Sequence, residues 1–177
     1  MSVQSQVRKA TKAVTNALSQ RNAPETGKMD ILDKLKKEHD EVKSLLADLQ
    51  KADTAPERKA LVSKIKLALV PHTKAEEKIV YDAVLALKDK DAQLDGHEGY
   101  LEHEWASKTL DRLGKITNVT SPEHKATAKV LKELVEHHIK EEESNVWDDV
   151  RENFSDDERI QMNADFEAAK KKVRIPH

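Results

Sequence analysis

Apolar residues along this chain recur in steps of three and four, the spacing that lines one face of an α-helix. Leu35, His39, Val42, Leu46 and Leu49 form one such seam and predict a helix from about Asp30 to Lys51. Asp53-Thr54-Ala55-Pro56-Glu57 stops that helix and caps the next, with Pro56 suited to a first turn. A second seam through Val62, Ile65, Leu69, His72, Glu76, Ile79 and Ala83 predicts a helix to about Lys88. Pro71 interrupts it: the ring has no amide hydrogen and clashes with the carbonyl four residues back, so a kink is expected around Leu67 to Val70. The polar run from Asp89 to Gly99 holds two glycines and reads as a loop or a frayed helix start. His103, Ala106, Leu110 and Leu113 predict a third helix to about Ile116. Ser121 and Pro122 open a fourth, running to about Asn153. Its seam passes through Leu131, Val135, His138, Glu142 and Val146, in competition with Val130, Leu134, His137 and Glu141. Ser155-Asp156-Asp157-Glu158 is a capping box. It opens a last helix, with Met162, Phe166, Ala169 and Val173 on one side, expected to lie across the others and stop near Ile175-Pro176.

Composition agrees with an all-α protein, since four Gly, five Pro and six aromatic residues (two each of Trp, Tyr and Phe) sit in 177 residues dominated by helix formers. The expected architecture is an up-and-down four-helix bundle with an extra N-terminal amphipathic helix and a C-terminal helix. Residues 1–28 form the extension: five basic residues, one acid, and Val3, Val7, Ala10, Val14 and Ala17 at helical spacing. Residues 29–177 form the bundle and its last helix. Lysine plus arginine (31) nearly balance aspartate plus glutamate (33), leaving no charge field for nucleic acid or an anionic membrane. There is no cysteine, which removes thiolate metal sites, iron–sulfur clusters and thiol nucleophiles. No stretch is apolar enough to span a bilayer, and the N-terminus lacks a secretory apolar run, so a cytoplasmic protein is expected.

The seams carry chemistry as well as packing. His72-Thr73-Lys74-Ala75-Glu76-Glu77 is echoed by His138-Ile139-Lys140-Glu141-Glu142-Glu143, and Val80-Tyr81 sits where Val146-Trp147 sits in the other copy. A His and a Glu four residues apart share a helix face and can grip one metal ion. The echo selects His138 and Glu142 over His137 and Glu141, while the acidic run leaves Glu141 and Glu143 as alternative ligands in a worse register. His39 and His103 complete the repeat, so each half offers one lone His and one His-x-x-x-Glu. A bundle of two such hairpins brings all four seams to one axis. Buried glutamate is costly unless paired or coordinated, and two divalent cations would account for the set. Four imidazoles and two bridging carboxylates fill roughly eight of about twelve positions on two six-coordinate ions, which suits iron with a bridging oxo or hydroxo group. The remaining vacancies are where dioxygen, peroxide or nitric oxide would bind. Tyr100 and Glu77 are the candidate proton donors. His97 and His124 read as surface residues, and Trp105, Trp147 and Tyr81 as packing aromatics near helix ends.

Over about residues 30 to 150 the chain resembles the hemerythrin-like proteins with an HHE cation-binding domain. The matching residues are Lys37-Glu38-His39-Asp40, the two His-x-x-x-Glu segments, and Leu101-Glu102-His103-Glu104. The resemblance implies a bundle around a non-haem di-iron site, with His39, His72, His103 and His138 as terminal ligands and Glu76 and Glu142 as bridges. Oxygen-carrying hemerythrins of marine invertebrates add a His-x-x-x-His helix and an aspartate bridge; this chain lacks both and resembles the four-His, two-Glu branch. Members of that branch that repair iron centres carry a cysteine-containing N-terminal region, which this sequence does not. The expected function is binding of dioxygen, nitric oxide or peroxide for sensing, storage or stress protection. The alternative is a redox enzyme reducing peroxide or nitric oxide at the same two irons. The expected partner is such a small molecule, with neither nucleic acid nor membrane, and a homo-oligomer joined through the N-terminal helix. A ferritin-type site is disfavoured, because no histidine here has Glu three residues before it.

Overall fold

A computed structural model describes residues 29–175; the N-terminal extension expected to be amphipathic lies outside the described residues. The described residues form helices and connecting turns, with no strand among them. Helix α1 is Ile31–Lys51, capped by the Asp30 carboxylate on the Leu32 amide. Helix α2 begins at Ala55 under a Thr54 cap and has three parts: α-helical Ala55–Glu76, a π-helical turn Glu77–Tyr81, and α-helical Asp82–Leu85. Helix α3 is Lys90–Lys115, and α4 comprises Pro122–Glu141, a second π turn Glu142–Val146, and Trp147–Asn153. Helix α5, Asp156–Lys170, opens on the capping box of Ser155 and Glu158 and ends some five residues before the expected stop.

Two expectations about the backbone are revised. Residues Lys90 to Gly99 are regular helix, started by Asp89, whose side chain accepts from the Asp91 and Ala92 amides. The glycines there serve close packing: a Cβ on Gly99 would lie 2.6 Å from Cζ of Tyr81, and one on Gly96 would lie 3.1 Å from the Leu85 side chain. Helix α2 also stays α-helical through Pro71, and the departure from α geometry comes at Glu77, after the His-x-x-x-Glu segment. Thr73 Oγ1 donates to the Val70 carbonyl beside the proline.

Helices α1 to α4 close a ring in which α1 packs on α2 and α4, and α3 packs on α2 and α4. Helix α5 lies against α1 and α2 at one end. The interior has two apolar clusters. One, at the α5 end, gathers Ile31, Leu35, Val80, Tyr81, Val84, Trp147, Val150 and Phe166. The other fills the far end with Val42, Leu46, Leu49, Ile65, Leu110, Leu113 and Leu131.

The far end also contains Arg58 and His124, both 1 % exposed, so the expectation of a surface His124 is wrong. Arg58 donates from Nε to the Val119 carbonyl (2.6 Å) and from Nη1 to the Leu49 and Ala52 carbonyls (2.9 Å each). Its Nη2 lies 3.0 Å from His124 Nδ1, and burial together with the guanidinium lowers the histidine below its ordinary pKa. A neutral His124 therefore accepts from Arg58, and one side chain ties the loops at that end together. His97, in contrast, is exposed as expected. Trp105 is 57 % exposed under Lys108 and is not a packing residue.

Candidate metal centre

The site lies between the two apolar clusters, where the seams of α1 to α4 turn polar. His39, His72, Glu76, His103, His138 and Glu142 are all buried, Glu76 completely. His137 points outward, its side chain 61 % exposed, as the repeat register implies. Glu76 Oε2 stands 3.3 Å from His72 Nε2 and 3.4 Å from His103 Nε2. Glu142 Oε2 stands 3.3 Å from His39 Nε2 and 3.6 Å from His138 Nε2. Each carboxylate thus lies between a histidine of its own hairpin and one of the other. Donor atoms of His39, His72 and Glu76 fall within 4.8 Å of one another, as do those of Glu76, His103 and His138. Separations of this size suit donors sharing one cation at about 2 Å each.

A second tier of carboxylates orients the imidazoles. His39 Nδ1 faces Glu143 at 3.1 Å, and His72 Nδ1 faces Glu38 at 3.0 Å. His103 Nδ1 lies 3.4 Å from Glu77 without hydrogen-bond geometry, and His138 Nδ1 faces Glu102 at 2.8 Å. The pairs close a circuit: α1 supports the histidine of α2, α2 that of α3, α3 that of α4, and α4 that of α1. An Nδ1–H donated to a carboxylate leaves the Nε2 lone pair aimed inward and makes it a stronger ligand. Glu38 is further held by Lys34 (3.0 Å) and Lys170 (2.5 Å), which brings α5 into the circuit.

Electrostatics follow from this acid surplus. Burial opposes charge on His72, but Glu76 and Glu38 outweigh it and raise the ring to about 10. Burial likewise opposes, and Glu142 and Glu143 overcome, the rise at His39, while Glu76 and Glu77 do so at His103. Glu38 falls to about 2 despite burial, because His72, Lys170 and Lys34 favour its charged form. Glu76 also lies well below its ordinary value against its burial, held there by His72 and His103.

The donor set fits a cation on several counts. Both oxygens of Glu76 and of Glu142, and Nε2 of His39, are buried with no hydrogen-bond partner. The Nε2 atoms of His103 and His138 face each other across 3.0 Å while their Nδ1 atoms face carboxylates. Two lone pairs at that distance require a proton or a cation between them. Buried acceptors without donors are what metal coordination satisfies.

Of the two candidate proton donors, neither faces the ring of Nε2 atoms. Tyr100 donates to the Glu77 carbonyl (2.9 Å) and to Asp82 (2.7 Å); burial and Asp82 raise its pKa. Glu77 lies against His103 Nδ1 and accepts from Lys74 at 2.7 Å. The phenol that does face the ring is Tyr81, which sequence reasoning assigned to packing. It is fully buried, with Oη 3.5 Å from His138 Nε2. Burial and the charges of Glu142 and Glu76 raise its pKa and keep it protonated. Trp147, its counterpart in the repeat, stacks on His39 with centroids 5.8 Å apart, and Phe166 of α5 meets His72 edge-on at 5.9 Å. Glu38 and Glu102, each preceding a seam histidine, were passed over as ligand supports; that shared position was the available signal.

The family described as the hemerythrin HHE cation binding domain matches residues 30–147. A protein of Nostoc sp. strain PCC 7120 named a DNA nickase is 27 % identical over 146 residues, which are 82 % of this chain and 40 % of that protein. This chain therefore spans less than half the length of that relative. No solved structure matches at comparable stringency. No helix among the described residues is long and apolar enough to cross a membrane.

Proposed function

This chain belongs to the hemerythrin HHE cation-binding family, and from that premise we propose a non-haem di-iron protein that binds dioxygen or a related small molecule, nitric oxide or peroxide. The observation that carries the reading is the convergence of four Nε2 atoms on two buried glutamates whose four oxygens have no donor. His39 and His72 would hold one ion and His103 and His138 the other, with Glu76 and Glu142 spanning both. When bound, the irons supply open coordination positions and one-electron redox steps to the small molecule. The protein's part is to fix the imidazoles through Glu38, Glu77, Glu102 and Glu143, and to exclude water with Trp147, Phe166 and Tyr81. Sensing, storage or stress protection in the cytoplasm is the role such a site fits.

The same donors serve a second reading, an enzyme that reduces peroxide or nitric oxide. The nicking named for the Nostoc relative supports a third, on DNA. Against it, the cleft beside His138 is rimmed by Asp95, Glu98, Glu102 and Glu141, which repel a phosphate backbone.

Metal analysis, then anaerobic reduction and exposure to air, peroxide and nitric oxide under visible absorption, tests the proposal. The expected result is two irons per chain and a spectrum that changes reversibly. Sustained peroxide consumption favours the enzyme, and relaxation of supercoiled plasmid the nickase. Failure to take up iron, or His138→Ala binding as much as the parent, overturns the di-iron reading.

A further inference from the structure

The two hairpins place different aromatic side chains at the same point of the repeat. Tyr81 follows Glu76 by five residues, and Trp147 follows Glu142 by five. Trp147 lies nearly parallel to the His39 ring, at 15°, and its buried indole nitrogen has no hydrogen-bond partner. Tyr81 instead lies obliquely against His103, with centroids 5.2 Å apart, and reaches His138 with its hydroxyl. Gly99 makes that pose possible, since any larger residue would strike the phenol ring.

The hydroxyl's hydrogen-bond contact is His138 Nε2, the lone pair that a bound metal takes. With the metal in place the buried O–H loses its acceptor, and a buried donor without a partner is destabilising. A ligand atom on the ion held by His103 and His138 restores the bond. A narrow cleft at this side, about 10 Å³, is lined by Tyr81, Gly99, His138 and Glu142 beneath an acidic rim of Asp95, Glu98, Glu102 and Glu141, two of the six donor residues among the lining. The larger hollow near α5, about 220 Å³, reaches His72 beside Glu38 and Lys170 and touches none of the other five.

We propose that the small molecule binds in the half held by His103 and His138, with Tyr81 donating a hydrogen bond to it. This rests on the metal-centre reading above. The geometry selects a compact ligand with an exposed acceptor atom.

The test is titration of the oxidised, iron-loaded protein with azide, a compact anionic probe, after iron content has been measured. Tyr81→Phe should keep the parent's iron while its azide Kd rises about tenfold, the value of a charge-assisted hydrogen bond; Trp105→Phe, at an exposed aromatic outside the site, should leave Kd within about twofold of the parent. A Tyr81→Phe protein that binds azide like the parent overturns the proposal, and so does an equal loss in Trp105→Phe. Should Tyr81→Phe fail to fold or load, 3-fluorotyrosine keeps the question open to measurement. The chain has two tyrosines, so incorporation in a Tyr100→Phe background labels Tyr81 alone. Its more acidic hydroxyl should tighten azide measurably, and an unchanged Kd overturns the proposal. A parent protein that takes up no metal overturns the metal reading and this inference with it.

Discussion

Two buried polar clusters lie inside the same four helices, and they are satisfied in opposite ways. At the far end, Arg58 spends its donors on three carbonyls and on His124, so the cluster is largely closed by the protein itself. At the centre, four carboxylate oxygens and His39 Nε2 have no hydrogen-bond partner in the protein. The first cluster locks loops together; the second is an acceptor set awaiting positive charge. The lesson is that burial and polarity alone do not mark a site. What separates a lock from a socket is whether donors and acceptors balance.

The sharpest way to break the comparison is to neutralise the socket. Glu76→Gln combined with Glu142→Gln should abolish iron uptake, measured by metal analysis, while the metal-free double variant melts no lower than the metal-free parent. The parent should gain several kcal/mol from saturating metal, about 4 kcal/mol at a thousandfold excess over Kd. A double variant that still holds two irons would place the ligands elsewhere.

Arg58→Met attacks the lock. It leaves three carbonyls and His124 without their donor and should cost about 3 kcal/mol by urea denaturation, equally with and without metal. Iron content should not change. If the loss vanished on loading, the two clusters would not be independent.

The smallest effect is expected at the rim of the socket. Glu38→Gln should weaken metal binding about tenfold by loosening His72. It should also flatten the pH profile of the metal-free protein. His72 is raised from 6.5 to about 10, so its contribution is full below 6.5 and is lost as pH rises through 10. Glu38 is lowered from 4.5 to about 2, so its contribution is full above 4.5 and is lost as pH falls through 2. The pair is therefore at full strength between 4.5 and 6.5. Urea midpoints measured with chelator from below pH 4.5 to above pH 6.5 should peak inside that window in the parent and vary less with pH in Glu38→Gln.

The all-α fold and the six converging residues were legible in the sequence because both rest on local spacing. A seam of threes and fours puts His39, His72, His103 and His138 inward whatever surrounds them, and the caps at Asp30, Thr54, Ser121 and Ser155 are written within four residues of each helix start. What escaped depends on distant partners. Arg58 and His124 are 66 residues apart, and neither shows its burial alone. Gly96 and Gly99 weaken local helix propensity, and the neighbours that reward small residues there, Leu85 and Tyr81, belong to α2. Tyr81 itself was read as packing because its position relative to His138 is set by the π turn that ends at it.

Those π turns have a consequence for how the protein can change. A π turn holds one residue more than an α-helix needs for the same hydrogen-bonded advance, and such turns are frequent at functional sites. One begins immediately after Glu76 and the other at Glu142, so each carboxylate is followed by a surplus residue before the aromatic side chain arrives. The two turns fall at matching points of the repeat. Deletions within 78–80 or 144–146 would be tolerated by the helices as helices, yet would rotate everything downstream by about 100°. Tyr81 and Trp147 would leave the centre while the four histidines stayed, so length variation in these two short segments would retune the chemistry without dismantling the metal site.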